Sequence, residues 1–403
     1  MPGNGPGRVA RILYLHTTSE IGGSDVSLLR LVEGLDRRRF APVVVLPSDG
    51  PLVGRLRGVG AAVEIMPSLW KLTSRRGWLF LPRFACHFPF AVAELARTLR
   101  RERIALVHTS GIHNLYGGAA AARAGVPHVW HIREIVWQSP ALRWLEVRLV
   151  RRWATRIVVT SDAVAGMFDG TAPDRLVKVP NGVELDRYAP GDGRRVRREL
   201  GVEGDRPLVA TACRLDPWKG VETFLEAAAE VSRTRPGTRF AVIGGPIAGQ
   251  EAYAAALEAR AAALGVADVV RFAGWRYTPD QMPDVYRALD VLVLASAEPE
   301  PFGLVLIEAM ATGKPVIATR QGGPLEIVQD GVTGLLVPPR NPRALADAMR
   351  ALIDDPAAAR RMGEAGRRRA VERYGADRYV ERIQVIYEEL LGGVTECAVL
   401  PGS

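Results

Sequence analysis

The chain has 403 residues, of which 48% are hydrophobic and 24% are charged, a composition typical of soluble globular proteins. Its length exceeds what one hydrophobic core usually supports and predicts two domains. No run of eighteen uncharged apolar residues occurs, so we expect no membrane-spanning helix. The opening MPGNGPGRVA lacks the apolar segment of a secretory signal and predicts a short disordered tail.

The net charge of +9 is unevenly distributed along the chain. Residues 1–190 contain 26 Lys and Arg against 15 Asp and Glu, whereas the rest of the chain contains 27 against 29. A basic first half predicts contact with something anionic, either a membrane surface or a phosphorylated acceptor. Arginine-rich helices that are merely solvated explain the same excess equally well.

The three cysteines, Cys86, Cys213 and Cys397, are far apart and show no metal-binding spacing. They predict reduced thiols in a cytoplasmic protein.

Short apolar runs alternate with helical patterns through the first half of the chain. The predicted strands are RILYLH (11–16), PVVVLP (42–47), AVEIMP (62–67), IALVHTS (104–110), PHVWHI (127–132), RIVVTS (156–161) and VKVPNG (177–182). Nearly continuous apolar runs are typical of strands buried on both faces of a parallel sheet. The alternation with helices predicts repeated right-handed βαβ units.

Two polar segments follow predicted strands in this half. HTTSEIGGSDV comes after the first strand and places Gly22 and Gly23 at the start of a helix. HIRE places His131 at the end of the fifth strand and Arg133 and Glu134 on the loop beyond it. Taken alone, a single histidine in such a position is more often structural than functional.

A stretch rich in aromatic residues and cations, PSLWKLTSRRGWLFLPRFACHFPF (67–90), precedes the fourth strand. Its aromatic residues are Trp70, Trp78, Phe80, Phe84, Phe88 and Phe90, and its cations are Lys71, Arg75, Arg76 and Arg83. Aromatic residues beside cations suit the headgroup layer of an anionic bilayer. Packing into the first domain explains them as well, and the prolines predict that no long amphipathic helix forms here.

The segment 184–206 is polar and rich in Gly, Pro and charge, and we interpret it as an interdomain connection with one short helix at 193–200. The predicted strands beyond it are PLVATACRL (207–215), RFAVIGG (239–245), VVRFAG (269–274), VLVLAS (291–296), KPVIAT (314–319) and GLLVPP (334–339), and an amphipathic helix follows at 377–393. These patterns predict an α/β protein of two Rossmann-like, doubly wound domains facing across a cleft. The expected domains are 1–185, completed by the helix 377–393, and 186–376, with ligands bound outside the carboxyl ends of the strands.

The loop AEPEPFG after the VLVLAS strand carries Glu300 and is stiffened by two prolines. We expect a helix from about Leu304 to Gly313, because glycine suits the residue just past a helix end.

The start of this helix predicts an anion site. Unpaired backbone N–H groups at Gly303, Leu304 and Val305, together with the positive end of the helix dipole, favour a phosphate there. Glu308 lies one turn deeper on the same face and suits a vicinal diol, whereas Glu300 lies on the other side of the anion. A ribose, a diphosphate and a sugar fit this order, which predicts a nucleotide sugar as the ligand.

CRLDPWKG follows the first strand of the second domain. Arg214 ends the strand, and Lys219 comes five residues later, before a glycine that opens a helix. Two cations at this spacing are able to clamp a diphosphate and stabilise it as a leaving group.

The stretch EPFGLVLIEAMATGKPVIAT, with GGPLEIVQDGVTGLLVPP (322–339), resembles the E-x7-E signature of family 4 (group 1) glycosyltransferases, which are retaining enzymes of the GT-B fold. CRLDPWKGVETFLEAA, the loop with two glycines and VPNGVELDRY match the same family, with Asp25 where the family more often has Glu. The resemblance spans nearly the whole chain and is strongest over 207–340.

The resemblance implies roles for residues of the second domain. The donor nucleotide would lie there, with its base read by the backbone around Phe272 and its ribose held by Glu308. Arg214, Lys219 and the amides of Gly303 to Val305 would stabilise the departing diphosphate. Glu300 would orient hydroxyls of the donor sugar.

The resemblance also implies roles in the first domain. Gly22 and Gly23 would face the donor phosphates and the acceptor. His131 would hydrogen-bond the donor sugar and shape the transition state, with His128 a weaker candidate because it lies inside the strand. Arg133 and Glu134 are acceptor-side candidates.

No Asp-x-Asp pair ends a strand, as metal-dependent transferases usually require, so we expect no metal and no cofactor beyond the nucleotide-sugar co-substrate. The implied route is same-face attack, in which the leaving phosphate oxygen accepts the acceptor's proton. The expected acceptor is a glycan or lipid-linked intermediate of cell-surface polysaccharide or glycolipid synthesis, at a cytoplasmic or inner-membrane surface. A small soluble natural-product acceptor is the alternative.

Other classes of protein fit less well. A nicotinamide-dependent dehydrogenase would need G-x-G-x-x-G after its first strand, and neither HTTSEIGG nor ACRLDPWKG provides it. The pI of about 9.8 suits nucleic-acid binding, but no recognition motif accompanies it. A GT-B enzyme that transfers nothing to an acceptor, such as a sugar-nucleotide epimerase, stays open.

Overall fold

The computed structural model describes residues 9–70, 80–136 and 139–392. They form two compact units. The N-terminal unit comprises the chain to Thr160, Val164–Pro180 and the chain from Ala376, and the C-terminal unit comprises Ser161–Ala163 and Asn181–Gly375. Residues 181–185 pack with the C-terminal unit, five residues before the predicted boundary, because Val183 N donates a hydrogen bond of 2.7 Å to Tyr374 O.

The described strands of the N-terminal unit form a parallel sheet in the order β3-β2-β1-β4-β5-β6-β7. They are β1 (Ala10–Leu15), β2 (Phe40–Leu46), β3 (Ala62–Ile65), β4 (Leu106–Ser110), β5 (His128–Ile132), β6 (Arg156–Val159) and β7 (Leu176–Lys178). Side chains of β1 alternate between the two faces: Ile12 and Tyr14 pack in one hydrophobic cluster, and Leu13 and Leu15 pack in another. The apolar runs of the sequence therefore mark strands covered on both faces, as predicted.

Helices cover both faces of this sheet. They are α1 (Gly23–Glu33), α2 (Pro51–Gly58), α3 (Phe80–Arg101), α4 (Leu115–Ala124), α5 (Pro140–Trp153), α6 (Asp162–Ala165) and, from the far end of the chain, α15 (Ala376–Leu391). Helix α15 contributes Tyr379, Ile383 and Tyr387 to the core of the N-terminal unit.

The stretch 67–90 differs from one expectation. Its prolines were expected to prevent a long helix, yet α3 runs for 22 residues with Pro89 inside it. One face of α3 packs on α4 and the sheet, and this burial offsets the hydrogen bond that Pro89 removes. Trp78 and the cations Lys71, Arg75 and Arg76 lie outside the described residues, as do Cys397 and the predicted tail up to Arg8.

The aromatic side chains that are described in this stretch mostly pack inward. Phe84 and Phe88 contact each other and Tyr116 in the core, with ring centroids 5.0–5.8 Å apart. Trp70 stacks on His87 at 4.1 Å. Phe90, at 74% exposure, is the exception.

In the described part of the C-terminal unit, the parallel sheet has the order β10-β9-β8-β11-β12-β13. Its strands are β8 (Leu208–Ala212), β9 (Arg239–Ile243), β10 (Val270–Gly274), β11 (Val291–Leu294), β12 (Val316–Thr319) and β13 (Gly334–Val337). Its helices are α7 (Arg194–Glu199), α8 (Val221–Thr234), α9 (Glu251–Ala263), α10 (Met282–Ala288), α11 (Leu304–Ala311), α12 (Pro324–Ile327), α13 (Pro342–Asp354) and α14 (Pro356–Arg373).

Strand order reverses once in each sheet. In the N-terminal unit the reversal lies between β1 and β4, and in the C-terminal unit it lies between β8 and β11. Ligands of doubly wound sheets bind at this position, outside the carboxyl ends of the strands. None of the helices described is long and apolar enough to cross a membrane.

Candidate active site

The loops after β8 and β11 meet at the reversal point of the C-terminal sheet. The loop after β8 contains a 3-10 turn, Pro217–Lys219, followed by Gly220 in the left-handed region at φ 66°. A Cβ on Gly220 would lie 2.1 Å from the carbonyl oxygen of Ala295, which follows β11. Ala297 N also donates to Trp218 O at 2.7 Å. Glycine is therefore required for this turn to press against the end of β11.

This contact brings Lys219 and Glu300 together. Lys219 Nζ lies 2.8 and 3.1 Å from the two carboxylate oxygens of Glu300, and Ser296 Oγ donates to Glu300 Oε2 at 2.7 Å. Glu300 is 7% exposed. Lys219 Nζ also lies 3.9 Å from the ring centroid of Trp218, close enough for a cation–π contact.

The backbone of Glu300 is held from the side of β12. Gly323 N donates to Glu300 O at 2.8 Å. Gly322, at φ 67°, sits so close that a Cβ would lie 2.2 Å from the same oxygen. The GG of QGGP therefore fixes the position of the loop that carries Glu300.

Arg214, the second predicted cation, lies on the same loop as Lys219 but is exposed. Within the described residues, no hydrogen bond or ion pair engages its guanidinium. The strand before it ends at Ala212 rather than at Leu215 as predicted. Arg214 therefore belongs to the loop rather than to the strand.

Helix α11 begins at Leu304, as predicted, with Gly303 as its N-cap at φ 103°. No side chain caps its first turn. Leu306 N donates to Gly303 O at 2.9 Å, whereas the N–H groups of Leu304 and Val305 begin the helix and have no intrahelical acceptor. Gly313, at φ 78°, follows the helix end. Leu304 and Val305 are half-buried.

Glu308 lies one turn into α11 and is 6% exposed. The hydroxyl of Tyr286, from α10, donates to Glu308 Oε2 at 2.9 Å. This bond fixes the carboxylate on the predicted face of the helix.

Phe272 lies away from this cluster. It belongs to β10, the edge strand, and its ring packs against the hydrophobic core. The Phe272 ring is therefore not free to contact a base. Contact between a base and the backbone of β10 stays a prediction.

Trp275, just beyond β10, forms an aromatic platform. It is 58% exposed, and its Nε1 donates to Pro246 O at 2.9 Å. A Cβ on Gly245 would lie 2.8 Å from both Cδ1 and Nε1 of the indole and 3.2 Å from Cε2. These distances place Gly245 against one face of the ring, so the indole is held flat at the carboxyl edge of the sheet.

In the N-terminal unit, the loop after β1 is organised around Asp25. The carboxylate binds His16 Nε2 at 2.5 Å, Thr18 Oγ1 at 2.6 Å and the backbone N–H of Gly22 at 2.7 Å. Burial raises the pKa of Asp25, but the hydrogen bonds from His16, Thr18 and Gly22 outweigh it and hold the pKa below its usual value. The amide of Gly22, the N-cap of α1, is thus ordered by a carboxylate, and Gly23 begins the helix.

Arg133 joins three parts of this unit. Its guanidinium donates to Ser24 O at 3.0 Å, to Tyr379 Oη at 2.7 Å and to His131 Nδ1 at 3.2 Å. The loop after β1, the end of β5 and helix α15 are therefore brought together by one side chain. Arg133 is 9% exposed, so it is built into the fold rather than displayed on the loop.

These contacts settle the state of His131, which is fully buried. Arginine only donates, so Nδ1 accepts and the ring proton lies on Nε2. Burial, with the positive charge of Arg133 and the proximity of His108, lowers the pKa of His131 well below its usual value. Nε2 has no hydrogen-bond partner among the described residues, which leaves a neutral imidazole with one unused donor.

Glu134 and His128 have local partners. Glu134 accepts hydrogen bonds from the backbone N–H groups of Ile112, at 3.3 Å, and Arg133, at 3.2 Å, and so ties the loop after β4 to the loop after β5. His128 is buried inside β5 against Thr109 Oγ1 at 2.8 Å. Its surroundings are those of a core histidine.

Four functional candidates had no signal in the sequence: Ser296, Tyr286, Trp275 and Tyr379. Ser296, Tyr286 and Tyr379 each contact a predicted residue through a hydrogen bond that only the folded chain makes, and Tyr379 reaches Arg133 across 246 residues. Trp275 instead contacts Pro246 and Gly245. Among the residues described, no cluster of three or more His, Cys, Asp or Glu side chains is arranged to hold a metal ion.

Comparison with known proteins gives two family-model matches. Residues 192–369 match the model described as glycosyl transferases group 1, and residues 21–187 match glycosyltransferase family 4.

Curated relatives include the D-inositol 3-phosphate glycosyltransferase of Nocardia farcinica. It is 33% identical over 82% of this chain and 68% of its own length. The protein of that name from Corynebacterium efficiens is also 33% identical, over 82% of this chain and 72% of its own length.

Among solved structures, Anabaena HepE in complex with UDP and glucose has a TM-score of 0.81 and 26% identity, covering 94% of this chain and 99% of that one. HepE in complex with UDP-glucose gives the same values. Sucrose-phosphate synthase from Thermosynechococcus elongatus shares the fold, with a TM-score of 0.78 and 22% identity over 95% of this chain and 99% of that one.

Proposed function

The chain belongs to glycosyltransferase family 4, the group 1 enzymes of the two-domain GT-B fold, and on that premise we propose that it moves a hexosyl group from a nucleoside diphosphate sugar to an acceptor hydroxyl, with retention of anomeric configuration and without a metal ion. Its activity as a glycosyltransferase follows from the family. The hexose, the stereochemistry and the independence from metal are the proposal.

The observation that carries the proposal is the contact between Lys219 and Glu300 at the reversal point of the C-terminal sheet. A buried carboxylate and a half-buried ammonium, which contact Ser296 and Trp218, hold each other in place before any ligand arrives. Electrostatic catalysis depends on such preorganised charges. Arg214, which has no protein partner among the described residues, adds a second cation on the same loop.

In the proposed reaction the leaving group is a nucleoside diphosphate. Arg214, Lys219 and the first-turn amides of α11 stabilise the charge that develops on its phosphate oxygens. Glu308, oriented by Tyr286, accepts hydrogen bonds from the ribose diol. Trp275 supplies a flat surface for the base, since aromatic stacking contributes about 1–3 kcal/mol per base.

His131 binds the donor sugar as a neutral hydrogen-bond donor. Arg133 fixes the tautomer that carries its proton on Nε2. A neutral imidazole places no positive charge beside a sugar ring that itself becomes positive in the transition state.

The bond from the anomeric carbon to the diphosphate oxygen breaks as the bond to the acceptor oxygen forms on the same face. The proton of the acceptor hydroxyl passes to the departing phosphate oxygen, so no protein base is required. The cations named above take the part that a divalent metal has in other transferases.

A small, phosphate-bearing polyol is the acceptor class that the relatives' names favour, because they describe transfer to D-inositol 3-phosphate. The basic first half of the chain suits an anionic acceptor of this kind. A glycan or lipid-linked acceptor is the second candidate, favoured by the same excess of positive charge.

The test is a transfer assay with purified protein, a panel of UDP-, GDP- and ADP-sugars led by UDP-glucose, and two acceptors, inositol phosphate and a polyprenyl-phosphate-linked sugar. We expect transfer from one nucleotide class, unchanged by a chelator, and NMR of the product should show the anomeric configuration of the donor. Inversion of the anomeric configuration would refute the proposed stereochemistry. Loss of turnover with the chelator would refute the independence from metal. Donor hydrolysis or epimerisation without transfer would refute the proposed activity itself.

A further inference from the structure

Helix α5 of the N-terminal unit has two different faces. Glu146 and Val150 are fully buried and attach the helix to the core. The residues of the opposite face follow one another at helical spacing and are exposed: Ala141, Trp144, Leu145, Arg148 and Arg152. A groove of about 950 Å³ opens along the helix, lined by Trp144, Val147, Met167 and four arginines.

The positive charge of this face is not neutralised within the described part of the chain. Arg148 and Arg152 have no carboxylate partner there. The one carboxylate of the helix, Glu146, is buried and receives a contact of 2.6 Å from His113 Nδ1. Arg151, by contrast, is tied to Thr171 and to the backbone of Asp169.

Apolar side chains lie among these cations. Trp144 is 66% exposed and Leu145 is 44% exposed. The guanidinium of Arg148 lies 5.7 Å from the ring centroid of Trp144. Two large apolar side chains in water beside unpaired guanidinium groups are costly for a surface that only faces solvent.

We propose that the exposed face of α5 docks on a bilayer surface that contains anionic phospholipid headgroups. The arginines bind headgroup phosphates, and Trp144 and Leu145 enter the boundary between headgroups and acyl chains, where amphipathic aromatic rings are favoured. The combination favours a bilayer over a nucleic acid or an acidic protein, because these would use the arginines and leave Leu145 in water. The proposal is independent of the reaction catalysed.

This surface differs from the stretch 67–90, whose aromatic pattern suggested a bilayer contact in the sequence. Phe84 and Phe88 of that stretch are in the core. Helix α5 offers what they do not, since its apolar and cationic side chains are exposed on one continuous face.

The test is sedimentation of the full chain with vesicles of equal parts phosphatidylglycerol and phosphatidylcholine at low salt. We expect the wild type to pellet with these vesicles and to stay in solution with phosphatidylcholine alone. The variant Arg148→Gln/Arg152→Gln should bind about 25-fold more weakly, because each arginine near an anionic surface strengthens binding about fivefold. Trp144→Ala should weaken binding while leaving its salt dependence unchanged.

A matched control separates a docking face from general positive charge. Arg360→Gln/Arg361→Gln removes the same charge from exposed positions of α14 in the C-terminal unit. Vesicle binding by this control should stay near the wild-type value. Equal loss in both double variants, no pelleting of the wild type, or binding of an oligonucleotide but not of vesicles would each overturn the proposal, provided that all variants melt at the wild-type temperature.

Discussion

A single carboxylate, Glu300, receives two side-chain contacts and two constraints on its backbone. Lys219 and Ser296 hold its oxygens, and Gly322 and Gly323 hold its main chain. A group fixed from both sides loses little entropy when a sugar binds, which is what a catalytic site requires. The sequence predicted the residue but not this degree of support.

Glu300→Gln should lower kcat by about 100- to 1,000-fold, the usual loss when one preorganised polar group is removed. The amide keeps the shape of the side chain but loses the charge that pairs with Lys219. Steady-state kinetics on the wild type and on this variant measure the effect.

Glu298→Gln is the matched control, since Glu298 lies on the same loop and pairs with exposed Arg340. Surface pairs of this kind contribute about 0–1 kcal/mol, so turnover should not change. Equal losses in both variants would show that the loop, and not the charge of Glu300, matters.

At the scale of elements, glycine sets the distances between loops. Gly220 and Gly322 both have positive φ and both lie against a backbone oxygen of the β11 loop, that of Ala295 and that of Glu300. The motifs K-G and G-G are therefore packing requirements as much as binding motifs. This explains how three separate stretches of sequence converge on one position.

Gly322→Ala should lower kcat at least tenfold, because its Cβ would meet Glu300 O at 2.2 Å and displace the loop. Gly331→Ala is the control, with a φ of 74° but open space around the new Cβ. Both variants lose about 1–2 kcal/mol of stability to the left-handed backbone, and only the first should lose turnover. Calorimetry and kinetics together distinguish the two outcomes.

Helix α15 comes from the end of the chain and orders the residues around His131. Its Tyr379 binds Arg133, which in turn binds His131. We expect Tyr379→Phe to lower kcat about tenfold with little change in the KM for the donor, since the hydroxyl positions the group without touching substrate.

Tyr387→Phe tests whether that effect is only structural. The hydroxyl of Tyr387, on the same helix, binds His108 and Tyr14. Removing the hydroxyl of Tyr387 should lower the free energy of unfolding by about 1–2 kcal/mol, as removing that of Tyr379 should, but it should leave kcat near the wild-type value. A kcat that falls equally in both variants would argue against positioning by Tyr379.

In the whole molecule, a fall in pH should lower the stability of the N-terminal unit more than that of the C-terminal unit. All six histidines lie in the N-terminal unit. Burial lowers the pKa of His128 to about 3, and burial with nearby positive charge lowers the pKa values of His108 and His131 well below the usual value. Below about pH 6.5 the unfolded chain binds protons at these sites and the folded chain does not, so acid favours unfolding.

The free energy of unfolding of the N-terminal unit should therefore fall by about 4 kcal/mol between about pH 7 and about pH 5.5, because each of the three histidines contributes a slope that rises toward about 1.4 kcal/mol per pH unit as the unfolded chain becomes protonated. The C-terminal unit should change little over this range. Denaturant unfolding followed by hydrogen exchange separates the units. His128→Gln should reduce the slope by about a third, and a slope unchanged in that variant would contradict the assignment.

Sequence reasoning reached the architecture because apolar runs mark doubly covered strands and because glycines and prolines mark the loops between them. It predicted the start of α11 correctly from a local pattern of proline, glycine and apolar residues. It assigned Glu300 and Lys219 to the site from their spacing and from the family resemblance, and those roles stay predictions. It missed Ser296, Tyr286 and Tyr379, which have no local pattern. It also excluded a long helix at Pro89 on a local rule about proline, and this was wrong because tertiary packing there outweighs that rule. It placed Arg133 on the loop after β5, where the structure has it, but it did not predict that the side chain is buried and links three elements.

We expect the loops after β8 and β11 and the start of α11 to bind a diphosphate. A crystal structure of the protein with UDP decides this. Diphosphate oxygens should lie within hydrogen-bond distance of Lys219 Nζ and the backbone amides of Gly303 to Val305, with the ribose at Glu308. A nucleotide bound elsewhere in the C-terminal unit, with these amides facing only water, would contradict it.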